Sequence, residues 1–235
     1  MCIRDRLGSL LLLGFTGVFC YNICFFSGLR FIGAGRASLI IALNPMAITV
    51  GAVFLYGERL SLLQCIGLLI SLCGAFLVIS NGNPALLVSG GFGWGEVAIL
   101  GCVISWAAYS LIGRNVLKSM SPLSAVFYSA LFGALMLFPA TLVGEAPLQI
   151  HTYSSADWIS LLFLGILGTA AGFSLYYQAI RVIGSARSSV FINLVPLFSI
   201  LLAWIFLGET INFSVLGGGI ILMSGVYLTN KKAKT

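Results

Sequence analysis

Two asparagine side chains beside prolines are the groups best placed to contact a small molecule within the apolar part of this chain. Asn44 precedes Pro45, and Asn193 lies three residues before Pro196. A proline within a helix has no N–H and displaces the carbonyl four residues earlier, and inside a bilayer that carbonyl needs a neighbour, a water or a solute. The pattern therefore predicts a polar patch that lines a central cavity and a flexible point for its opening. The alternative is a packing kink that a neighbouring helix satisfies.

Aromatic and amide side chains in other apolar segments complete the predicted site. Trp106 and Tyr109 stand mid-segment, away from the interfaces such residues usually occupy, and each carries a polar atom that needs a partner. Gln178 with Tyr177, and Asn22, occupy comparable places in two related segments. Core packing and hydrogen bonds between helices are the alternatives for these five. The predicted substrate-binding residues are Asn22, Asn44, Pro45, Trp106, Tyr109, Tyr177, Gln178, Asn193 and Pro196.

The motifs of enzymes and metal sites are missing from the sequence. It contains no HExxH, no GxSxG, no phosphate-binding glycine loop and no carboxylate pair. Its six cysteines lack CxxC spacing, and we interpret them as small buried hydrophobic residues. We therefore predict no enzymatic activity, no catalytic residue, no metal and no cofactor.

The acidic residues are predicted to have structural roles. Glu58 and Glu209 shortly precede Ser61 and Asn212, which are good N-caps, so each carboxylate is expected to face the positive end of the next helix. Glu96 lies near the outer end of an apolar segment, where an interfacial position is favoured over a role in proton coupling.

Composition indicates that lipid surrounds most of the chain. Sixty per cent of the residues are hydrophobic and 8% are charged, whereas a soluble domain has roughly 25% charged residues. The net charge of +6 comes from basic residues that stand singly at the ends of apolar runs, a distribution typical of membrane anchors and not of a nucleic-acid-binding face. The expected partners are the lipid bilayer and a small-molecule solute, with no nucleic acid; homo-oligomerisation stays open.

An internal repeat organises the chain. Residues 29–58 correspond without a gap to residues 180–209, an offset of 151 positions, with Arg30, Gly33 and Arg36 matched by Arg181, Gly184 and Arg187. A repeat of this kind determines the architecture of the fold.

Eight segments are long and apolar enough to span a bilayer: 7–29, 36–56, 61–80, 93–113, 121–143, 158–180, 187–207 and 211–230. Ten of the twelve lysines and arginines fall on the side of the two termini, which predicts cytoplasmic ends and opposite orientations for the two copies. The predicted organisation is a non-native leader (1–6), a first repeat of three helices (7–80), a linker (81–92), a second repeat of five helices (93–230) and a basic cytoplasmic tail (231–235).

Three features present in both copies resemble the EamA-like domain of the drug/metabolite transporter superfamily. They are Leu/Ile-Arg-x-Ile-Gly-x-x-Arg at 29–36 and 180–187, a proline-containing helix that ends in Gly-Glu at 57–58 and 208–209, and a following helix with paired glycines. The resemblance implies ten helices in two inverted five-helix repeats, alternating access, and export of amino acids, other metabolites or toxic compounds. Because the first copy has three helices and the second has five, we expect an amino-terminally truncated chain.

The sequence thus predicts an all-α polytopic membrane protein whose eight transmembrane helices are the last eight of a ten-helix fold. Its predicted function is secondary transport, by export, of a small organic solute across the bacterial inner membrane. A passive channel, a membrane scaffold without transport activity and an inactive fragment are the alternatives. The solute, the coupling ion and the direction of transport stay open at this point.

Overall fold

All regular structure in the computed structural model is helical over the part of the chain that it describes, namely residues 7–80, 93–143, 153–195, 197–198, 202, 205 and 213–230. The helices are α1 (Leu7–Leu29), α2 (Ala34–Ile41), α3 (Asn44–Tyr56), α4 (Leu62–Ser80), α5 (Trp94–Val116), α6 (Pro122–Val143), α7 (Ser155–Ile183), α8 (Ser185–Ser189), which continues into a 3₁₀ turn (Val190–Asn193), and α9 (Phe213–Asn230).

The described helices are those of a polytopic membrane protein. Five of them, α1, α4, α5, α6 and α7, are long and apolar enough to cross a bilayer, and α3 and α9 contain shorter apolar stretches. The predicted segments 7–29, 61–80 and 121–143 agree with α1, α4 and α6 to within a residue at each end. The prediction of an all-α polytopic membrane protein is confirmed at this level, whereas the count of eight spanning helices stays a prediction.

The predicted segment 36–56 is two half-helices. Helix α2 ends at Ile41, and α3 begins at Asn44, so that Pro45 lies in the first turn of a helix, where its missing N–H removes no intrahelical bond. Between them the N–H of Leu43 bonds to the carbonyl of Ile40, three residues back, at 3.0 Å. In the second copy, the 3₁₀ turn Val190–Asn193 occupies the corresponding place before Pro196, which lies outside the described residues.

Helices α1 and α7 each contain a π-helical segment at the same position of the repeat. These segments are Gly14–Cys20 and Leu164–Ala171, and the 151-residue offset superposes them. A wide π turn within an α-helix is rare and recurs at functional sites. No sequence pattern predicted either segment.

The two π segments have different surroundings. A Cβ atom at Gly14 would lie 2.8 Å from the Cβ of Phe132, so α1 approaches α6 more closely than any side chain at that position permits. At the corresponding residue of α7, Gly165, there is open space. The most apolar stretch of α7 is 0% buried, against 56% for α5, which makes α5 the central helix of the described part and α7 a peripheral one.

Helices α4 and α9 pack as an antiparallel pair through glycines. Gly67 lies against Thr229 near the opposite end of α9, and Gly74 lies against Leu222. A Cβ atom at Gly225 would lie 2.7 Å from the carbonyl oxygen of Gly67. The contacts follow the repeat, in which residues 67 and 74 correspond to residues 218 and 225. The residue that each glycine contacts corresponds, in the other copy, to the residue that its counterpart glycine contacts. Small residues at such crossings let helix backbones approach closely in lipid.

Four apolar clusters connect the described helices. One joins α1, α5, α6 and α7, and a second joins α4, α9 and the Val190–Asn193 turn. A third joins α3, α5 and α8, and a fourth joins α1, α2 and α5. Helix α5 therefore contributes to the clusters on both sides of it, and the half-helix α3 packs between α5 and α8.

The α4–α9 crossing yields a prediction about stability. Replacing Gly225 with alanine places a methyl group against the α4 backbone, and overpacking of this kind lowers the free energy of unfolding by about 1–3 kcal/mol. Gly217→Ala on the same helix is the matched control, since a Cβ atom there meets nothing within 4 Å and alanine favours the helix by up to about 1 kcal/mol. Denaturant unfolding of the purified protein in detergent measures both variants. Equal free energies of unfolding for the two variants would contradict the close packing of α9 against α4 at Gly225.

Candidate functional site

An aromatic cluster lies at the junction of α1, α5 and α7. The Trp106 ring is its centre, with ring centroids at 5.0 Å to Phe173, 5.4 Å to Tyr109, 5.6 Å to Tyr21 and 5.7 Å to Tyr176. Tyr177 joins it by stacking on Tyr109, at 4.9 Å between centroids. The structure therefore brings together three of the predicted site residues, Trp106, Tyr109 and Tyr177.

Tyr109 and Tyr177 form the closed interior of this cluster. Both side chains are fully buried. The Tyr177 hydroxyl donates to the carbonyl oxygen of Tyr109 at 3.1 Å, and the Tyr109 hydroxyl is 3.3 Å from the hydroxyl of Ser129. Because the Tyr177 hydroxyl already donates to a carbonyl, it could donate to a solute only by breaking that hydrogen bond.

Trp106 differs from these tyrosines in having an unused donor. Its ring is partly buried against apolar residues of two clusters. Among the described residues its buried Nε1 atom has no partner with hydrogen-bond geometry, although the Tyr176 hydroxyl is close enough to interact with it. Buried polar groups are nearly always hydrogen-bonded, so each exception needs a physical explanation. An N–H at the centre of an aromatic cluster is a group that a bound solute can satisfy.

Asn44 and Asn193 supply two unused acceptors. Their side chains are 2% and 1% exposed, and neither Oδ1 atom has a partner in the described part of the chain. Asn193 is fixed by its Nδ2 atom, which donates to the Ser71 hydroxyl at 3.2 Å. Asn44 begins α3, and α3 packs against the turn that ends at Asn193.

One apolar cluster connects the elements that carry the three unused polar atoms. It contains Trp106 itself, Ile48, which lies one turn after Asn44, and Ile192, which precedes Asn193. The candidate solute site is therefore the seam between α3, α5 and the Val190–Asn193 turn. It offers one N–H donor, two carbonyl acceptors and aromatic walls.

The other predicted site residues lie elsewhere. Gln178 is on the exposed face of α7, between Leu175 and Val182, which are each 71% exposed. Asn22 donates to the carbonyl of Val18 in its own helix at 2.7 Å. Pro45 is buried in the first turn of α3 beside Asn44, and Pro196 lies outside the described residues.

Two serines of the site were missed by the sequence reasoning. The Ser110 hydroxyl donates to the carbonyl of Trp106 at 2.9 Å and is 2.9 Å from the hydroxyl of Tyr176, which joins α5 to α7. Ser71 holds Asn193. Their spacing carried a signal: Ser110 lies one turn after Trp106, and Ser71 lies between the paired glycines 67 and 74.

An ion pair at one end of the site connects the two copies of the repeat. Gly57 ends α3 in the left-handed conformation (φ 62°) that glycine accommodates most readily, and the chain then presents Glu58 to Arg114 at the end of α5. The Arg114 guanidinium donates to the carboxylate and also lies 4.4 Å from the centroid of the Tyr56 ring. Tyr56 in turn donates to the carbonyl of Leu111 at 2.6 Å.

Glu58 has a partner that the sequence did not predict. Ser61 does cap α4, but the partner in the capping box is Gln64: the N–H of Gln64 donates to the Ser61 hydroxyl at 3.3 Å, and the N–H of Ser61 donates to Gln64 Oε1 at 2.9 Å. With that N-terminus satisfied, Glu58 pairs with Arg114. Glu96 accepts from the N–H of Gly93 at 2.8 Å at the start of α5, consistent with an interfacial position. Glu209 and Asn212 lie outside the described residues.

Comparison with known proteins gives consistent matches. The model of the EamA-like transporter family matches residues 3–80 and 93–231. The chain is 26% identical over 224 residues to the Bacillus subtilis protein named "Uncharacterized transporter YyaM", covering 95% of this chain and 73% of the relative. It is 28% identical over 233 residues to a Streptantibioticus cattleyicolor protein named "Probable terminal-alkyne amino-acid exporter", covering 97% and 74%. A solved crystal structure shares the fold, with a TM-score of 0.79 at 20% identity over 97% of this chain and 79% of that one.

The ion pair generates a second prediction. Glu58 and Arg114 are 21% and 27% exposed, so solvent screens their attraction and we expect a coupling energy of about 1 kcal/mol from the Glu58→Gln/Arg114→Gln double-mutant cycle. The matched cycle with Lys118→Gln, an exposed cation one turn beyond Arg114, should give a coupling energy near zero. Unfolding free energies in detergent measure both cycles. A coupling energy no larger for Arg114 than for Lys118 would show that the Glu58–Arg114 pair contributes nothing to the stability of the fold.

Proposed function

The chain belongs to the EamA-like transporter family, and from this membership we propose that it is a secondary transporter that exports a small organic solute by alternating access. Relatives named as transporters, including the amino-acid exporter of Streptantibioticus cattleyicolor, support this proposal. So does the composition of the chain, whose helices are those of a multi-pass membrane protein.

The observation that carries the proposal is the set of unpartnered polar atoms at the seam of α3, α5 and the Val190–Asn193 turn. Trp106 Nε1, Asn44 Oδ1 and Asn193 Oδ1 are all buried without a partner of hydrogen-bond geometry in the residues that the structure describes. A buried polar group that makes no hydrogen bond costs about 1–3 kcal/mol. A solute that accepts from the indole and donates to the amides would recover that energy.

These groups favour a particular class of solute. A zwitterionic amino acid carries an oxygen acceptor for the Trp106 N–H and an ammonium donor for the asparagine carbonyls. No Asp, Glu, Lys, Arg or His stands in the middle of a spanning segment, so the site is neutral and a solute with large net charge would lack a counter-charge. Aromatic walls add apolar contact area. We therefore propose a neutral or zwitterionic solute, of which amino acids are the leading class.

Alternating access requires positions at which helices can bend and rigid contacts about which they move. The break between α2 and α3, the Val190–Asn193 turn and the two π segments are positions where the regular α-helical hydrogen-bond pattern is interrupted. The glycine-packed α4–α9 pair is a close crossing between the two copies. We propose that the copies are inverted repeats that rock about this pair, and that the Glu58–Arg114 ion pair closes one end of the solute pathway.

The proposed setting is the bacterial inner membrane, with the carboxyl terminus in the cytoplasm. The distribution of basic residues supports this orientation. It places the Glu58–Arg114 pair on the cytoplasmic side, because the loop after α3 and the end of α5 lie on the side of the termini. Lipid and the solute are the proposed partners, and no catalytic residue is assigned.

Counterflow in proteoliposomes tests the carrier mechanism. Vesicles containing the purified protein and preloaded with unlabelled amino acids should take up the same labelled amino acid transiently above its equilibrium level, because a carrier exchanges solute across the membrane. Empty liposomes are the control. Uptake without stimulation by internal solute would indicate a channel, and no uptake of any candidate in a panel of neutral metabolites would contradict transport of this class.

A substitution that removes the indole N–H tests the seam. Trp106→Phe keeps an aromatic ring and removes the N–H, so loss of a hydrogen bond worth about 1.5 kcal/mol should raise the half-saturation concentration roughly tenfold. Trp158→Phe is the matched control, because that ring is 47% exposed near the start of α7. If both variants transport like the parent protein, the Trp106 N–H does not contact the solute.

A further inference from the structure

Two free thiols lie in contact on α1, at the point where its π segment ends. Cys20 is the last residue of that segment and Cys24 follows one turn later, with their Sγ atoms 4.0 Å apart. Neither cysteine is in a disulfide, and both side chains are only half-buried. The sequence predicted buried cysteines, whereas the structure pairs two accessible ones, because residues four apart share one face of a helix.

Helix α5 leaves room for this thiol pair. A Cβ atom at Gly101 would lie 2.9 Å from Cys24 Sγ, so the glycine allows this thiol to approach the α5 backbone. The next residue of α5, Cys102, is buried, and its thiol donates to the carbonyl of Tyr21 at 3.5 Å. Cys24 and Cys102 belong to the apolar cluster that α1, α2 and α5 share. The pair therefore lies between apolar protein and the surface of the helix bundle.

The surroundings limit what the thiol pair can bind. Helix α1 contains no Asp, Glu, Lys, Arg or His, so a charge formed at the pair has no counter-charge on its own helix. Because an unpaired ion in an apolar medium is costly, a bound centre must leave the complex uncharged. A soft monovalent cation between two thiolates would leave one negative charge.

The number of available ligands is a second limit. The described part of the chain contains no group of three or more His, Cys, Asp and Glu side chains that could hold a metal ion. Structural metal sites such as those of zinc take four ligands. The pair therefore suits a thiophilic centre that forms two bonds to sulfur and brings its remaining substituent with it.

We propose that Cys20 and Cys24 together bind a trivalent arsenical of the type R–As(OH)₂. Each sulfur forms a bond to arsenic as an As–O bond breaks, and each thiol proton leaves with the hydroxide as water. The reaction R–As(OH)₂ + 2 R′SH → R–As(SR′)₂ + 2 H₂O oxidises and reduces nothing, and all its species are neutral.

The distance between the two sulfurs fits a single bridging atom. A zinc–thiolate bond is about 2.3 Å long, so one centre with bonds of similar length reaches sulfurs up to about 4.6 Å apart. The Sγ atoms of Cys20 and Cys24 lie within that span, at 4.0 Å. The site does not depend on the proposed transport activity, so binding can be measured without a transport assay.

Mass spectrometry of the purified, reduced protein in detergent tests the site, with phenylarsine oxide as the probe. We expect one phenylarsenic group per chain with the loss of two hydrogens, and digestion of the adduct should place both sulfur bonds on Cys20 and Cys24. The adduct should resist millimolar β-mercaptoethanol and yield to dithiothreitol, because both bonds must break before a monothiol removes the arsenic. No adduct on the parent protein, or bonds at other cysteines, would overturn the proposal.

Three serine variants separate a bridged pair from single reactive thiols. Cys20→Ser and Cys24→Ser each leave one thiol at the site, so β-mercaptoethanol should displace the arsenical at a concentration at least about tenfold lower than in the parent protein. Cys65→Ser is the matched control, because Cys65 is half-buried on α4 and more than two turns from Cys73. It should change that concentration by less than about twofold. Equal resistance in the parent and the α1 variants, or an equal loss in the control, would contradict the bridge.

Discussion

The lipid environment requires that backbone hydrogen bonds be satisfied within the protein, and the architecture of this transporter follows from that requirement. Every described element is helical, and the helices depart from the regular α pattern at a few positions only: the break between Ile41 and Asn44, the 3₁₀ turn Val190–Asn193, and the π segments Gly14–Cys20 and Leu164–Ala171. These departures occur in pairs, one in each copy of the repeat. Irregular backbone is tolerated at membrane depth where it is buried in protein or lines a cavity. One of these pairs, the Ile41–Asn44 break and the Val190–Asn193 turn, lies next to the unpartnered Oδ1 atoms of Asn44 and Asn193.

Glycines decide which side chains can reach the interior of the helix bundle. The Tyr109 ring lies against Gly17 of α1, and the Tyr177 hydroxyl lies against Gly113 of α5, where a Cβ atom would be 2.5 Å away. Small residues thus make room for large rings at the centre of the described fold. The same residue type has a different use between α4 and α9, where Gly67 and Gly225 bring two backbones together. The aromatic cluster and the glycine-packed pair are therefore two consequences of the same sequence feature.

The sequence was sufficient to predict the class of fold, but it did not predict the direction of each side chain. The apolar runs predicted an all-α polytopic membrane protein, and the repeated motifs indicated the family; both predictions are confirmed. The predicted residues Trp106, Tyr109 and Tyr177 also lie together. Gln178 is exposed, one residue beyond Tyr177. In a helix whose lipid-facing and protein-facing sides are equally apolar, periodicity cannot distinguish them. The Glu58–Arg114 pair depends on a contact between distant parts of the chain, which no local pattern encodes.

The distribution of charge separates the middle of the molecule from its ends. The seam around Trp106 contains only neutral polar atoms, whereas the charged side chains of the described helices stand near helix ends, where water and headgroups reduce the desolvation of an ion. Arg114 and Arg187 stand at the same end but differ in their partners, since Arg114 is balanced by Glu58 and Arg187 has no acidic partner in the described part of the chain. A neutral seam of this kind suits the proposed zwitterionic solute, because such a solute carries both of its own charges and needs no counter-charge from the protein. The described helices thus keep their ions where water can solvate them and leave uncharged hydrogen-bonding groups in the interior.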